Sequence, residues 1–522
     1  MISDIRPKVG IDDMALYVPG LFLPIADLAK ARNIEYAKLN KGLGLQEMSV
    51  PDAQEDAATM AANAVRQLIE RNQLHPSRIG RLYVGTESGL DGAKPVATYV
   101  LEMLQEYLAP TYGADCLLHC DVVDMTFACI GAVDALHNTL DWIRAGSERM
   151  GIIVATDYAK YDLESTGEYT QGAGAVATLL KEQPRLLALG SEIGTATVPV
   201  HDFFKPQLRV SKSDLLQEAL RLAGQDEIDA QDALEKHTRI DGAAHPWSTT
   251  DDYVTLHRET PVFDGPYSND CYRERIGQAL MDYQRKTEYP QQEAITDNWR
   301  RLVFHLPYAF QARRMFSEVF LAEARKRGDL PELLQELSIT EPLMEDFASP
   351  ADYRKAYEKF LRAITKTNRY RRFVAEKIER GERWSARMGN LYTGSILLSL
   401  MSILEADLAE NNDLSGAHLG FFAYGSGSKA KVFVGEVQKG WTEVVAQFHT
   451  VQQLDARKAL DYETYEALHR GKLQERVGSL DQIFVLQHIE DQPARMVGAR
   501  TYRWIPGKAV GATTHHVSAE KS

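Results

Sequence analysis

Cys116, Cys120, Cys129 and Cys271 are the only thiols in the 522-residue chain. Cys129 stands in Asp124-Met125-Thr126-Phe127-Ala128-Cys129-Ile130-Gly131-Ala132, at the entrance to a helix. Unpaired N–H groups and partial positive charge at a helix N-terminus lower a thiol pKa and stabilise an oxyanion on an acyl adduct, so the chemistry open to Cys129 is acyl acceptance. Taken by itself, a cysteine among small and apolar neighbours is more often a core residue. Glu87, in Gly85-Thr86-Glu87-Ser88-Gly89-Leu90-Asp91, follows a buried strand, where α/β proteins form ligand crevices. Burial there raises a carboxyl toward the range of a general base, although an exposed loop acid is the commoner case. His305, in Phe304-His305-Leu306-Pro307-Tyr308, is either a core histidine or a hydrogen-bond donor to a carbonyl oxygen. The turn Gly425-Ser426-Gly427-Ser428 has neither the Lys of a P-loop nor the third glycine of a dinucleotide fingerprint, so it reads as a hairpin passing near a ligand.

The elements that must position these residues alternate between strands and helices. Val9 to Pro19 reads as a strand closed by Pro-Gly. Ala58, Ala61, Val65, Leu68 and Ile69 recur at helical spacing from Glu55 to Gln73, and a turn at His75-Pro76-Ser77 leads to a buried strand over Ile79–Gly85. A helix around Val96 to Tyr107, a helix ending near Arg144, and strands over Met150–Asp157 and Gly172–Leu180 continue the pattern. It returns with a helix over Tyr392–Leu404 and strands at Gly420–Tyr424 and Lys431–Val437. Such alternation predicts an α/β architecture. Two charged stretches, about 210–256 and 330–387, read as insertions or helical elaborations with solvated faces. The tail from Gly507 reads as frayed.

The composition is that of an ordinary globular protein, with 44% hydrophobic and 25% charged residues. A net charge of −14 argues against nucleic acid as a partner, so an anionic ligand must be met locally. The cysteines lack paired CxxC spacing, so no zinc site is expected. No basic leader precedes an apolar segment, and no apolar run is judged long enough to span a membrane, so a cytoplasmic location without membrane partners is expected.

Taken in order, these segments resemble the hydroxymethylglutaryl-CoA synthase family of the thiolase-like superfamily. The resemblance rests on Gly85-Thr86-Glu87-Ser88 with Asp91, Ala128-Cys129 with Gly131, Asp157 with Tyr161, Gly172 to Ala177, and Asp202-Phe203-Phe204-Lys205-Pro206. It continues through Tyr267-Ser268 with Cys271-Tyr272, Phe304 to Tyr308, Gly389-Asn390-Leu391-Tyr392-Thr393-Gly394-Ser395, and Tyr424 to Gly427. It implies a thiolase-like fold of two similar halves in five α-β-α-β-α layers, usually a homodimer, with two charged, largely helical insertions. The expected divisions are 1–206 for the N-terminal half with the nucleophile, 207–260 for an insertion, and 261–522 for the C-terminal half with an elaboration at about 330–387.

The resemblance implies that Cys129 accepts an acetyl group from acetyl-CoA and that Glu87 removes a methyl proton and later protonates the new tertiary alkoxide. His305 would polarise the carbonyl of acetoacetyl-CoA, and hydrolysis would then release 3-hydroxy-3-methylglutaryl-CoA. Asp157, Tyr161, Asp202, Tyr272, Asn390 and Ser426 are the implied substrate-binding residues. No cofactor or metal is expected beyond the CoA thioesters. Ile130 stands where the family often has a hydroxyl residue, and Phe310 where it commonly has a Lys that meets CoA. Arg313 and Arg314, with Arg369 nearby in the basic entrance, are the expected substitutes. The alternatives are a polyketide β-branching synthase acting on acyl-carrier-protein thioesters and, from another class, a non-catalytic thiolase-like scaffold.

Overall fold

The structure, a computed structural model, describes residues 8–237, 252–337, 339–492 and 496–507. Its first half comprises β1 (Val9–Tyr17), α1 (Ala57–Arg71), β2 (Arg81–Gly85), α2 (Val96–Tyr112), β3 (Asp121–Met125), α3 (Gly131–Arg144), β4 (Met150–Tyr158) and β5 (Ala173–Glu182). β1 is buried along its whole length and β4 at all but its last residue, which explains their mostly apolar character; the buried Asp12 and Asp13 of β1 are paired with Arg185 and Arg71. Helix α1 begins at a capping box in which Asp56 accepts from the Thr59 N–H and Thr59 accepts from the Asp56 N–H.

The second half repeats this plan with β6 (Leu187–Leu189), β7 (Gly194–Thr197), α4 (Gly265–Lys286), β8 (Arg301–Phe304), α5 (Ser395–Ala409), β9 (His418–Gly425) and β10 (Lys429–Val437). Strand order is β3-β2-β4-β5-β1 in the first half and β8-β9-β10 with β7 beside β10 in the second. β2 runs parallel to β4 as β8 does to β9, and β4–β5 and β9–β10 are antiparallel. β6 pairs with both β1 and β10 and joins the halves into one ten-stranded sheet. Among the described residues β3 has no counterpart in the second half, where the chain from Gln311 to Met388 runs through helices instead.

Three cores separate the layers. The middle one combines α3 (Val133, Leu136, Leu140) with α5 (Ile396, Leu400, Ile403) between the two sets of strands. The outer ones bury α1 and α2 on one side, and α4 with the helices Ser317–Arg327, Pro350–Ile364 and Asn368–Lys377 on the other. This is the expected five-layered arrangement. Because α5 is enclosed from Ser395 to Leu404, apolar residues and small serines face every side of that stretch. The helical stretch Tyr392–Ala409 reaches 18 residues and has the length and composition to cross a membrane, contrary to the sequence reading, but it is mostly buried as a core element.

The expected divisions shift in two places. β7 belongs with β10, so the second half's strands begin before residue 206. The chain after β10 also returns to the first half: Lys458–Ala459 pairs with Leu21–Phe22, and the hairpin of Ile483–Ile489 with Arg500–Ile505 packs on α1. There Asn63 accepts from the Phe484 N–H and donates to the Phe484 carbonyl, as a strand neighbour would. The insertion at 207–260 is a two-stranded ribbon, Gln207–Ser211 with Tyr253–His257, that carries helices Lys212–Leu222 and Ala230–His237. Within it, 238–251 lie outside the described residues, as does the tail beyond Gly507.

The middle layer is held to β8 by a buried ion pair. Arg301 donates to Asp407 of α5 at 2.8 and 2.6 Å, and both side chains are shielded from solvent. Removing Arg301 takes away the bidentate partner of the buried Asp407 and leaves it the Arg380 guanidinium at 3.1 Å and the Asn412 amide at 2.9 Å. Because Asp407 keeps Arg380, Arg301→Met is expected to lower unfolding stability in urea by about 1.5–3 kcal/mol, and Arg301→Met with Asp407→Leu by less.

Candidate active site

The turn before α3 is crowded into place. A Cβ on Gly131 would lie 2.4 Å from the Met125 carbonyl oxygen, and one on Gly85 would lie 2.3 Å from the Ala132 backbone. Only glycines let the end of β2 and the start of α3 approach so closely, and this sets Cys129 beside the loop that carries Glu87. Of the eleven described non-glycine residues with positive φ, two lie at this site: Ala128 (φ 40°) and Tyr392 (φ 40°). Ala128 immediately precedes Cys129, and Tyr392 packs with Cys129, Tyr161 and Ala159. Backbone strain of this kind persists only where surrounding structure enforces it, and it gathers at functional sites.

Cys129 lies on the wall of a cavity of about 370 Å³ together with Tyr161, Tyr272, His305, Arg314, Asn390 and Ser426, while Glu87 lines a separate pocket with Lys160 and Lys205. Seven of the sequence-derived site residues thus converge from both halves. Asn390 is held by its own turn, its Oδ1 accepting from the Tyr392 N–H at 2.8 Å. Tyr272 donates its hydroxyl to the His305 carbonyl at 3.0 Å. Phe203 and Phe263 form further apolar wall.

Burial dominates the electrostatics. The Glu87 carboxyl is hydrogen-bonded by the Cys129 thiol, and its Oε1 is shielded from solvent without a hydrogen-bond partner. Desolvation pushes Glu87 up to about 7, against the opposing pull of the Lys205 ammonium. Cys129 is pushed well above its ordinary value by burial first and the adjacent Glu87 second. The lowering expected from the helix N-terminus is thus overridden: α3 begins two residues after Cys129, while the carboxylate touches the thiol. His305 is pushed down to about 3 by burial and is a neutral imidazole at physiological pH.

Two residues expected to bind substrate have other work. Asp157, at the end of β4, is fully buried and outside the cavity wall. Its Oδ1 accepts from the Glu87 N–H at 2.7 Å, Ser88 Oγ at 3.0 Å and Thr86 Oγ1 at 3.1 Å. Its Oδ2 accepts from Thr393 N–H at 3.0 Å and Thr393 Oγ1 at 2.5 Å. With every lone pair directed at protein, Asp157 positions the Glu87 loop rather than a ligand. Asp202 is likewise buried and accepts from Tyr424 OH at 2.8 Å, the Gly427 N–H at 2.7 Å and Ser268 Oγ at 3.3 Å, so it holds the turn that presents Ser426.

The basic entrance is also corrected. Arg313 is committed to a bidentate pair with the buried Glu382 and covers the Phe310 ring at 3.9 Å. Arg369 lies near Asp329 and Glu332, away from the cavity. Arg314 remains exposed, 5.6 Å from the Tyr308 ring, and borders both the cavity and an adjoining groove with Lys41 and Arg371. Phe310 fills the space beside Gly44, where a Cβ would meet its ring at 2.6 Å.

Sequence reasoning assigned no role to Lys205, Thr393 or Ser395, although all three stand in the segments it singled out. Lys205 donates to the Glu87 carbonyl at 3.1 Å and lies 4.8 Å from the Tyr392 ring. Its place beside Asp202 in the Asp-Phe-Phe-Lys-Pro segment was the available signal. Since Glu87 raises the Cys129 pKa, removing its charge should release thiolate. Iodoacetamide is expected to alkylate Cys129 faster in Glu87→Gln than in the wild type at pH 8, where Glu87 is mostly ionised; mass spectrometry of the Cys129 peptide gives both rates.

The models for the N-terminal and C-terminal parts of hydroxymethylglutaryl-coenzyme A synthase match residues 6–184 and 245–482. A hydroxymethylglutaryl-CoA synthase of Haloferax volcanii is 31% identical over 465 residues, 88% of this chain and 91% of the relative. The solved structure of MvaS in complex with 3-hydroxy-3-methylglutaryl coenzyme A is 26% identical with a TM-score of 0.71, covering 96% of this chain and 100% of that one. The HMG synthase of the curacin biosynthetic pathway, solved with apo donor carrier protein, is 21% identical with a TM-score of 0.63 over 95% of this chain and 100% of that one, a likeness of fold. The chain belongs to the hydroxymethylglutaryl-CoA synthase family.

Proposed function

We propose that this protein is a carbon–carbon bond-forming acyltransferase that condenses an acetyl group carried on Cys129 with acetoacetyl-CoA and releases 3-hydroxy-3-methylglutaryl-CoA by hydrolysis. The observation that carries this reading is Cys129, which shares a cavity wall with His305 and has the Glu87 carboxyl against its thiol. Cys129 Sγ, on losing its proton, attacks the acetyl-CoA carbonyl; the C–S bond to CoA breaks and CoA leaves as the thiol. The enzyme thioester acidifies the acetyl methyl, and the Glu87 carboxylate takes a proton from it. The resulting carbanion adds to the ketone carbon of acetoacetyl-CoA, whose oxygen is polarised by neutral His305. Glu87, now protonated, returns its proton to the tertiary alkoxide. Water then cleaves the Cys129 thioester and restores the thiol. A carboxyl raised to about 7 suits both halves of this exchange near neutral pH.

The scheme uses CoA thioesters and water and calls for no cofactor or metal. Arg314, with Lys41 and Arg371 in the adjoining groove, supplies local positive charge for an anionic CoA moiety on an otherwise acidic chain. A homodimer is the assembly we propose, formed along β3: this edge strand has β2 as its sole described partner and is half-exposed over most of its length. A cytoplasmic location goes with the same reading. The second reading, a β-branching synthase for carrier-protein thioesters, is favoured by one observation, the absence of a Lys at Phe310.

Cys129→Ser is expected to abolish incorporation of labelled acetyl from acetyl-CoA, whereas Glu87→Ala is expected to form the acetyl-enzyme and yet give no condensation product. Wild-type incorporation in the first, or normal product in the second, removes that residue from its role. Condensation with acetoacetyl-CoA is expected to exceed that with an acetoacetyl carrier protein. A strong preference for the carrier protein would establish the second reading instead.

A further inference from the structure

Ser395, the first residue of α5, is fully buried, and its Oγ lies 2.5 Å from His305 Nδ1. The same oxygen accepts the Leu306 N–H at 3.1 Å. A serine hydroxyl has one proton and two lone pairs, and a neutral imidazole has one donor and one acceptor nitrogen. The Leu306 N–H occupies one lone pair of Oγ. A proton on Nδ1 would occupy the other and leave the hydroxyl proton buried, with no acceptor among the described residues. Only donation from the hydroxyl to Nδ1 satisfies every group.

We propose that Ser395 is a positioning residue that holds His305 in the tautomer protonated on Nε2, so that the nitrogen left to the substrate cavity is a fixed donor. Burial keeps the ring from taking a second proton, with its pKa near 3 and no charged side chain contributing to the shift. Tyr272, whose ring is 6.4 Å from that of His305, spends its hydroxyl on the His305 backbone and does not compete for the ring nitrogens. This inference rests on the synthase reading for its consequence: Nε2–H donates to the ketone oxygen of the acetoacetyl thioester as negative charge develops there. In the other tautomer the ring would present a lone pair to that oxygen. His305 then acts as an electrophile throughout, and the proton delivered to the alkoxide comes from Glu87.

The test uses the full-length protein labelled with 15N-histidine, the His305 signals being assigned by their loss in His305→Asn. In the wild type, His305 Nε2 is expected at the protonated-nitrogen position and Nδ1 at the unprotonated one; Ser395→Ala is expected to show a mixture of tautomers. In the same variant, acetyl transfer to Cys129 is expected to persist while condensation falls about 10- to 100-fold, the scale of one lost preorganised interaction. Ser395→Thr, which keeps the hydroxyl, is expected to restore both the tautomer and most of the condensation rate. A wild-type proton on Nδ1, or wild-type condensation with an unchanged tautomer in Ser395→Ala, overturns the proposal. Should Ser395→Ala not fold, the wild-type spectrum and the Thr variant still decide it. If the wild type condenses no acetyl and acetoacetyl thioesters, the synthase reading fails while the 15N spectra judge the tautomer independently.

Discussion

The Asp157 carboxylate, sealed at the end of β4, is the interaction on which the site depends. Its two oxygens face opposite ways: Oδ1 gathers the loop after β2 that bears Glu87, and Oδ2 gathers Thr393 in the turn that opens α5. One buried anion therefore binds the two halves of the molecule at the level of the chemistry. Such a charge is stable out of water only when its lone pairs are met by donors, and here five hydrogen bonds meet them. The same requirement makes the geometry rigid, since displacement of either segment would strand the carboxylate. The conformation of Tyr392, whose φ is positive, and the close passage of Gly85 past Ala132 are imposed within this clasp.

Around the clasp, dehydration sets the protonation states. It raises Glu87 and Cys129 and lowers His305, so near neutral pH the thiol and the imidazole are neutral while Glu87 is poised between its two forms. A neutral thiol beside a carboxyl raised to about 7 has low standing reactivity, which protects a buried nucleophile until a thioester fills the cavity. Lys205 opposes the effect from one side, holding the Glu87 carbonyl while its charge favours the carboxylate. The acidic overall composition leaves this local arrangement untouched, because the charges that matter are few, close and screened from solvent.

The sequence by itself determined the alternation of elements and the chemistry available. Buried strands such as Met150–Tyr158 and the α1 pattern were legible because periodicity and apolar runs report burial directly. Cys129, Glu87 and His305 were legible as an ordered set of motifs resembling one family, and they do converge on one site. Tertiary structure alone decided what each polar group does there. Asp157 and Asp202 turned out to organise loops, Arg313 to neutralise Glu382, and Ser395 to meet a histidine ninety residues away. The pKa of Cys129 reversed direction for the same reason: a helix terminus is visible locally in sequence, whereas the burial that outweighs it, and the Glu87 carboxyl that adds to it, come from elements brought together by the fold. Periodicity encodes which side of an element is buried, but hydrogen bonding and desolvation depend on which elements meet, and only the folded chain brings those partners together.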